Sequence, residues 1–329
     1  MNKPEQVRLE VFRYTLKKSD KYDDELNNRN VFKKILNNPD ILDENIFTEI
    51  NKKLIKDLDS EYKTTRNQAF TLINDSDLKS NFSNDQNTFY GILKGGVLGN
   101  GKSKQDIKKR KDEEDLSGNV INDKYFYFVY APLNENYGYI FFQIYNFENI
   151  RVEFINYLLL NIFKYKNKIL KPEITPYIPE SIKKKFKENS KIQTIKFQDN
   201  IPSTKISDEV SITQQVSEFK IEINISPVNS NVENSKLNNL LTSIGKNEIF
   251  SEVISMFKTK KAVLKDKTTK KEATYELDGY SDIMPRIYLL NRIIINESTG
   301  IPDFNSLQKF CVKLKDEIIK CEKVKIKEI

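Results

Sequence analysis

The sequence predicts an α+β protein: a mixed or antiparallel sheet built round an aromatic β-hairpin with flanking helices, followed by a smaller C-terminal α+β region of dimerisation type. Three observations predict it. Residues 124–147, KYFYFVYAPLNENYGYIFFQIYNF, are two aromatic and β-branched runs separated by Pro132, Asn134, Asn136 and Gly138, the chemistry of an antiparallel hairpin. Helical periods recur along the chain without the regular β-α alternation of a parallel sheet. The last segment, from about Asp303, sets Leu307, Phe310, Cys311, Leu314, Ile318 and Cys321 on one helical stripe.

The elements follow in order. A first strand at 7–16 alternates Val7, Leu9 and Val11 on one face. Helices are expected over 23–38 and from Asp43 to about Leu58, where Ile46, Phe47, Ile50, Leu54 and Leu58 recur at helical spacing. Short strands at 67–74 and 87–95 lead into a glycine loop, and the charged segment from Lys102 to Asp115 reads as a surface loop. After the hairpin, Ile150, Phe154, Ile155, Leu158, Leu159 and Ile162 give a helical face through about Tyr165. Pro172, Pro176 and Pro179 impose an extended crossing, and a short basic helix starts near Pro179. Strands at 191–198 and 218–226 are expected to close the sheet of the first domain, with a polar loop from Pro202 to Gln215 between them. Helical patterns from Lys236 to Phe257, a hairpin of KAVLKD and EATYELDGY, and a segment at 283–295 that fits strand or helix precede the final helix. The length suits two domains, an N-terminal α+β globular domain at 1–228 and a C-terminal α+β domain at 229–329.

Composition narrows the chemistry. The chain has no histidine, which excludes a His general base, a Ser-His-Asp triad, a Cys-His pair and the usual zinc sites. Carboxylate–magnesium, lysine or phosphate-loop chemistry remains. Cys311 and Cys321 lie ten residues apart on one helical segment, about 15 Å along its axis, too far for a mutual disulfide. With no basic start followed by an apolar stretch and no apolar run of about 18–20 residues, the expectation is a cytoplasmic protein.

Three constellations could carry function. Residues 96–103, GVLGNGKS, satisfy G-x-x-x-x-G-K-[ST], so Gly96, Gly99, Gly101, Lys102 and Ser103 could cradle phosphates. A working phosphate loop opens a helix that packs on its sheet, and here the following SKQDIKKRKDEEDLSG offers only Ile107 and Leu116 as apolar residues. A strand-to-strand loop is the expected form, with nucleotide or backbone-phosphate binding as the alternative. The second constellation is charge: 54 Lys and Arg stand against 47 Asp and Glu, a net +7 gathered in patches. Lys102, Lys104, Lys108, Lys109, Arg110 and Lys111 form one, and Lys183, Lys184, Lys185, Lys187 and Lys191 another. Lys258, Lys260, Lys261, Lys265, Lys267, Lys270 and Lys271 form a third. Such patches give sequence-tolerant, salt-sensitive affinity for nucleic acid, and Tyr125, Tyr127, Tyr137 and Tyr139 could stack bases or fill a core. Third, Asp208 with Glu218-x-Lys220 fits the PD-(D/E)xK nuclease pattern, in which carboxylates hold magnesium.

The order of elements (VRLEVFRYTL, the paired YFYFVYAP and GYIFFQIYNF, the helix ENIRVEFINYLLLNIF, ITPYIPES and KIQTIKF) resembles the RexA-like phage-exclusion proteins from the N-terminus to about Ile225. The resemblance implies an antiviral, abortive-infection protein that is dimeric, binds DNA without sequence preference and acts with a second defence-system protein. It lies in element order and assigns no functional residue. The expected function is therefore non-enzymatic nucleic-acid binding without a cofactor, by a homodimer that the C-terminal helix helps to form. A magnesium nuclease, the one reading that needs a metal, and a nucleotide-binding protein using the glycine loop are the alternatives.

Overall fold

Alternating apolar residues mark β1, Arg8–Lys18, which pairs on both sides within a large sheet. The computed structural model describes residues 6–327 apart from 23, 60, 66, 74–79, 107–108, 146–149, 203–217, 229–231, 234–235, 238, 240, 243–256, 258, 269 and 278–283. After β1 come α1 (Asn28–Ile35), α2 (Asp43–Asp59), β2 (Lys63–Thr64), β3 (Gln68–Leu72), β4 (Asn81–Ser83), β5 (Thr88–Leu98), β6 (Ser103–Asp106) and β7 (Lys109–Asp115). The hairpin strands β8 (Val120–Tyr130) and β9 (Tyr137–Ile144) precede α3 (Arg151–Asn161), β10 (Ile169–Pro176) and α4 (Glu180–Glu188). Then follow β11 (Ser190–Pro202), β12 (Glu218–Ile225), β13 (Thr259–Asp266), β14 (Glu272–Glu276), β15 (Ile287–Tyr288) and α5 (Phe304–Lys327).

The fold is α+β, with a large antiparallel sheet. The chain divides into two compact units: Met1–Tyr177 with Ile287–Ile329, and Ile178–Arg286. The sequence-level cut between 228 and 229 falls inside the second unit. Two pairings explain the difference: β15 docks on β1 through Arg8↔Tyr288 and Leu9↔Ile287, and α5 covers the first unit's sheet, so the end of the chain belongs with its beginning.

In the first unit nine strands run in the order β10-β1-β9-β8-β5-β3-β2, with β15 beside β1 and β4 beside β5. Residues opposite one another in an antiparallel ladder share a face. The register Val11↔Phe141, Phe128↔Phe141 and Tyr90↔Phe128 therefore sets these four side chains on one face, with Arg13, Tyr130 and Tyr139 beside them. Tyr14, Tyr127 and Phe142 take the other face. That second face meets α3 and the turn after it: Phe154 lies 4.8 Å from the Tyr127 ring and 5.8 Å from Phe142, and Phe163 lies 4.3 Å from Tyr14. On the first face Phe304 stacks on Phe126, Lys315 Nζ sits 5.6 Å over the Tyr130 ring, and Tyr139 donates its hydroxyl hydrogen bond to Glu322. The apolar stripe of α5, with Leu307, Cys311, Leu314 and Ile318 buried, is thus spent on the molecule's own sheet.

Local signals set several boundaries. The helix expected over 23–38 is confined to Asn28–Ile35, because Asn27 caps its N-terminus by accepting from Asn30 N at 2.9 Å and Asn37 turns left-handed after it (φ 52°). Asn28 is fully buried and fully used: it accepts from Tyr14 Oη and donates to the carbonyls of Pro132 and Tyr137, all at 2.9 Å. The segment from Lys102 to Asp115, expected as a loop, is the two-stranded ribbon β6–β7. Of the segment 283–295, the described residues from Met284 on give the short β15, a turn and an isolated bridge of Ile295 to Pro302.

In the second unit, β12-β11-β13-β14 form a four-stranded antiparallel sheet. Strands β11 and β12 were expected to close the first sheet, yet β11 pairs with β13 through Ile195↔Ala262 and its neighbours, building a separate core from Ile192, Ile195, Phe197, Leu237, Phe257, Ala262, Leu264 and Ala273. Most of the helical pattern expected over 236–257, and the polar loop after Pro202, lie outside the described residues. Among the described residues no helix is long and apolar enough to cross a membrane.

Two outcomes follow from the first unit. Leu314→Ala, which empties a site 2% exposed beneath α5, costs about 2–4 kcal/mol in urea unfolding; a cost under about 0.5 kcal/mol, the range of ordinary surface changes, would detach α5 from the sheet. Burial also raises the tyrosine phenols, Tyr130 and Tyr22 to about 12 and Tyr14, Tyr127 and Tyr139 further. Because the folded state holds these phenols protonated, the stability they lend is complete below the unfolded value of about 10 and is lost as pH rises through the folded values. Tyrosinate absorbance of the buried set should rise together with the loss of circular dichroism above about pH 10; full ionisation with the fold intact would contradict the burial.

Candidate functional site

The glycines of GVLGNGKS serve a strand. Gly96 pairs with Ala69 on one side and Asn122 on the other inside β5, and a Cβ built there would overlap the Ile121 carbonyl oxygen. At Gly99 a Cβ would overlap the Leu116 carbonyl oxygen, while Gly101 adopts φ 70°. Close backbone approach and left-handed geometry are what glycine supplies in both places. Ser103 then opens β6 where a phosphate loop would open a helix, so Gly96, Gly101, Lys102 and Ser103 do not form a phosphate cradle at a helix N-terminus.

What the glycines join is an arm. β5 and β8 pair without interruption from Thr88↔Tyr130 to Leu98↔Val120. Gly99 N→Asn119 O (2.9 Å) and Leu116 N→Lys102 O (3.0 Å) carry the pairing on, and β6–β7 continues it through Ser103↔Asp115, Lys104↔Glu114 and Gln105↔Glu113 to Asp106↔Lys109. Over 102–119 the only apolar residues are Ile107 and Leu116, so this ribbon has no face to bury and forms a two-stranded sheet of its own. Charge is graded along it. By register the acidic run Asp112–Asp115 lies towards the root, where Glu114 meets Lys104 at 3.5 Å and hydrogen bonds from the backbone and hydroxyl of Ser117 hold the Asp115 carboxyl below its usual range. Lys109, Arg110 and Lys111 lie at the far end of β7, and Lys108 falls outside the described residues.

In the other two lysine groups, described side chains form ion pairs. On α4, Lys183 meets Glu180 at 3.1 Å and Lys184 meets Glu188 at 4.0 Å, while Lys184, Lys185 and Lys187 are exposed. On β13, Lys261 and Lys265 stand directly opposite Glu276 and Glu272 of β14, at 3.8 and 3.5 Å. This is a cross-strand charge ladder, worth little in affinity or stability. Lys260 is half-buried on the same strand, and Lys258 lies outside the described residues.

One juxtaposition escaped the sequence. Pairing of Ile192 with Leu264 brings Lys191 to Lys265, Lys267 and Lys270, which line a cavity of about 420 Å³ with Gln193 and Ser226. These lysines already hold an anion: Lys267 donates to Glu233 at 2.9 Å, and together with Lys236 and Lys191 it keeps that carboxyl below its usual range. Nothing local in the sequence could have found this, because the two groups are joined only by strand pairing.

The nuclease residues are not brought together by the described structure. Asp208 lies outside it, Glu218 opens β12 opposite Pro202, and Lys220 Nζ is 3.2 Å from Glu222 on its own strand. Glu222 is the charged centre there, held down to about 2 by hydrogen bonds from Asn224 and Gln198 and then by Lys220. Among the described residues no three His, Cys, Asp or Glu side chains gather as a metal site. The tyrosines Tyr125, Tyr127 and Tyr139 are buried and Tyr137 half-buried under the Arg13 guanidinium at 4.5 Å, so these rings fill the core and are not offered to bases. Comparison with family models, curated proteins and solved structures finds no match for this chain.

Because the glycines are there for the ribbon, Gly96→Ala should lower stability by about 2 kcal/mol or more in urea unfolding, through displaced β5–β8 pairing. Lys102→Ala, at an exposed position, should stay within about 0.5 kcal/mol. A neutral Gly96→Ala combined with ATP-dependent thermal stabilisation that Lys102→Ala abolishes would restore the phosphate-loop reading.

Proposed function

We propose that this chain binds nucleic acid, double-stranded DNA foremost, through the β6–β7 arm, with little sequence preference and without turning its ligand over. The observation that carries the reading is the arm: a polar two-stranded ribbon continuing a buried strand pair and bearing the basic residues Lys109, Arg110 and Lys111 at the end away from the sheet. A two-stranded ribbon is narrow enough for the major groove, about 12 Å wide, and closely spaced Lys and Arg neutralise phosphates on either side of it. The acidic root supplies a stop, since Asp112–Asp115 repel phosphates and confine contact to the far end. Exposed Lys184, Lys185 and Lys187 add a second, weaker source of phosphate attraction. The setting suggested by the RexA-like element order, a cytoplasmic phage-exclusion system with a second protein, is part of the same proposal.

Titration of duplex and single-stranded DNA at several salt concentrations, with and without magnesium and followed by a denaturing gel, tests it. Binding should fall steeply with salt, leave the DNA intact and ignore magnesium. Replacing Lys108, Lys109, Arg110 and Lys111 together by Ala should reduce the log–log salt slope by about 3 and weaken binding by about 10-fold or more at low salt. Absence of binding at low salt would end the reading, and magnesium-dependent cleavage abolished by Glu218→Ala would replace it with the nuclease.

A further inference from the structure

The small sheet has one long edge with no partner among the described strands. In the order β12-β11-β13-β14, β12 is terminal, and its side away from β11 carries a row of backbone donors and acceptors along Glu218–Ile225 that no described strand pairs with. Its inward residues Ile221, Ile223 and Ile225 are only half-buried against the core of Ile195, Phe197 and Leu264, so the apolar layer of the sheet stops short at this edge. Its outward residues alternate in charge, with Lys220 and Asn224 exposed on either side of Glu222.

A strand of this kind can accept another strand, and its charges select which one. A second β12 related by a two-fold axis perpendicular to the sheet runs antiparallel, keeps the apolar face on the apolar side and must place one residue opposite itself on the axis. With Glu222 on the axis, carboxylate faces carboxylate. With Lys220 on the axis, ammonium faces ammonium. Phe219 on the axis would pair only Glu218–Lys220 of the strand, and Ile223 only Ile221–Ile225. Ile221 on the axis pairs Glu218–Asn224, sets Lys220 opposite Glu222 of the second copy on both sides of the axis, and brings Ile221 to Ile221 beneath them. A parallel arrangement in register would stack like on like at each charged position.

We propose that β12 pairs antiparallel with β12 of a second copy of this chain about a two-fold axis at Ile221, joining the two small sheets into one running β14-β13-β11-β12 into β12-β11-β13-β14. The pairing satisfies the edge's backbone groups, covers the half-buried isoleucines from the side and brings a further ammonium group within reach of Glu222, beside Lys196 and Lys220. It also places the dimer contact in the second unit, since the C-terminal stripe is already buried on the first unit's own sheet.

Sedimentation equilibrium of the full chain without nucleic acid tests this apart from any DNA binding. The wild type should be a dimer. Lys220→Glu and Glu222→Lys, each placing like charges opposite one another, should weaken self-association by about tenfold or more. Mixing the two variants should restore a dimer, because the strand that then carries two carboxylates faces the strand that carries two ammonium groups. Circular dichroism checks that each variant is folded, and Lys220→Glu alone suffices if Glu222→Lys is not. A monomeric wild type, a dimer unchanged in Lys220→Glu, or folded variants that fail to pair on mixing would overturn the proposal.

Discussion

The first unit depends on covering both faces of one strand pair. In β8 and β9 the buried residues run on consecutively, Tyr125 to Val129 and Tyr139 to Tyr145, where a strand facing water on one side would alternate apolar and polar residues. A pair this apolar on both faces needs a layer on each side. Phe154 and Phe163 supply one layer from the segment that follows directly, and α5 supplies the other from the far end of the chain. The whole of Ile178–Arg286 is therefore an excursion between the sheet and the helix that completes it.

That constraint also separates what could be read in the sequence from what could not. Hydrophobic periodicity reports burial, and wherever burial was strong the elements were legible: β1, α2, the β8–β9 hairpin, the β13–β14 hairpin and α5 fall where their patterns put them. Periodicity does not say which strand lies beside which. β11 and β12 are legible as strands, but β13, which pairs with β11, follows only after a long intervening stretch, so sequence proximity points to the wrong sheet. The domain cut at 228/229 does not match the compact units for the same reason: the helix stripe shows that α5 packs on something, and its target, β8 and β9, precedes the whole second unit in the chain.

The arm shows the opposite case. β6–β7 buries nothing, so it leaves no apolar period, and its charges read as loop. What marked it in the sequence was the glycine spacing that imitates a phosphate loop. Gly96 and Gly99 are needed because partner carbonyls come too close for a Cβ, and Gly101 because the backbone turns left-handed. A glycine-rich match to a phosphate motif and a glycine-rich junction in a β-ribbon draw on the same property of glycine, and only the element after the motif, helix or strand, separates them.

Strand pairing likewise sorts the lysines. Lys261 and Lys265 look like part of a basic run when read along the chain, but across the sheet they face Glu276 and Glu272, so most of their field is cancelled within a few ångströms. Along β7 the basic Lys109–Lys111 and the acidic Asp112–Asp115 follow one another, with Asp106 opposite Lys109, so charge is graded along the arm where the β13 lysines make a ladder. For a polyanion the separated charge matters more, because attraction depends on uncompensated positive charge and not on the number of lysines. Two such arms carried by one dimer would turn the second contact with the same nucleic acid into an intramolecular event, so even a modest affinity at each arm would give a long-lived complex without sequence-specific contacts.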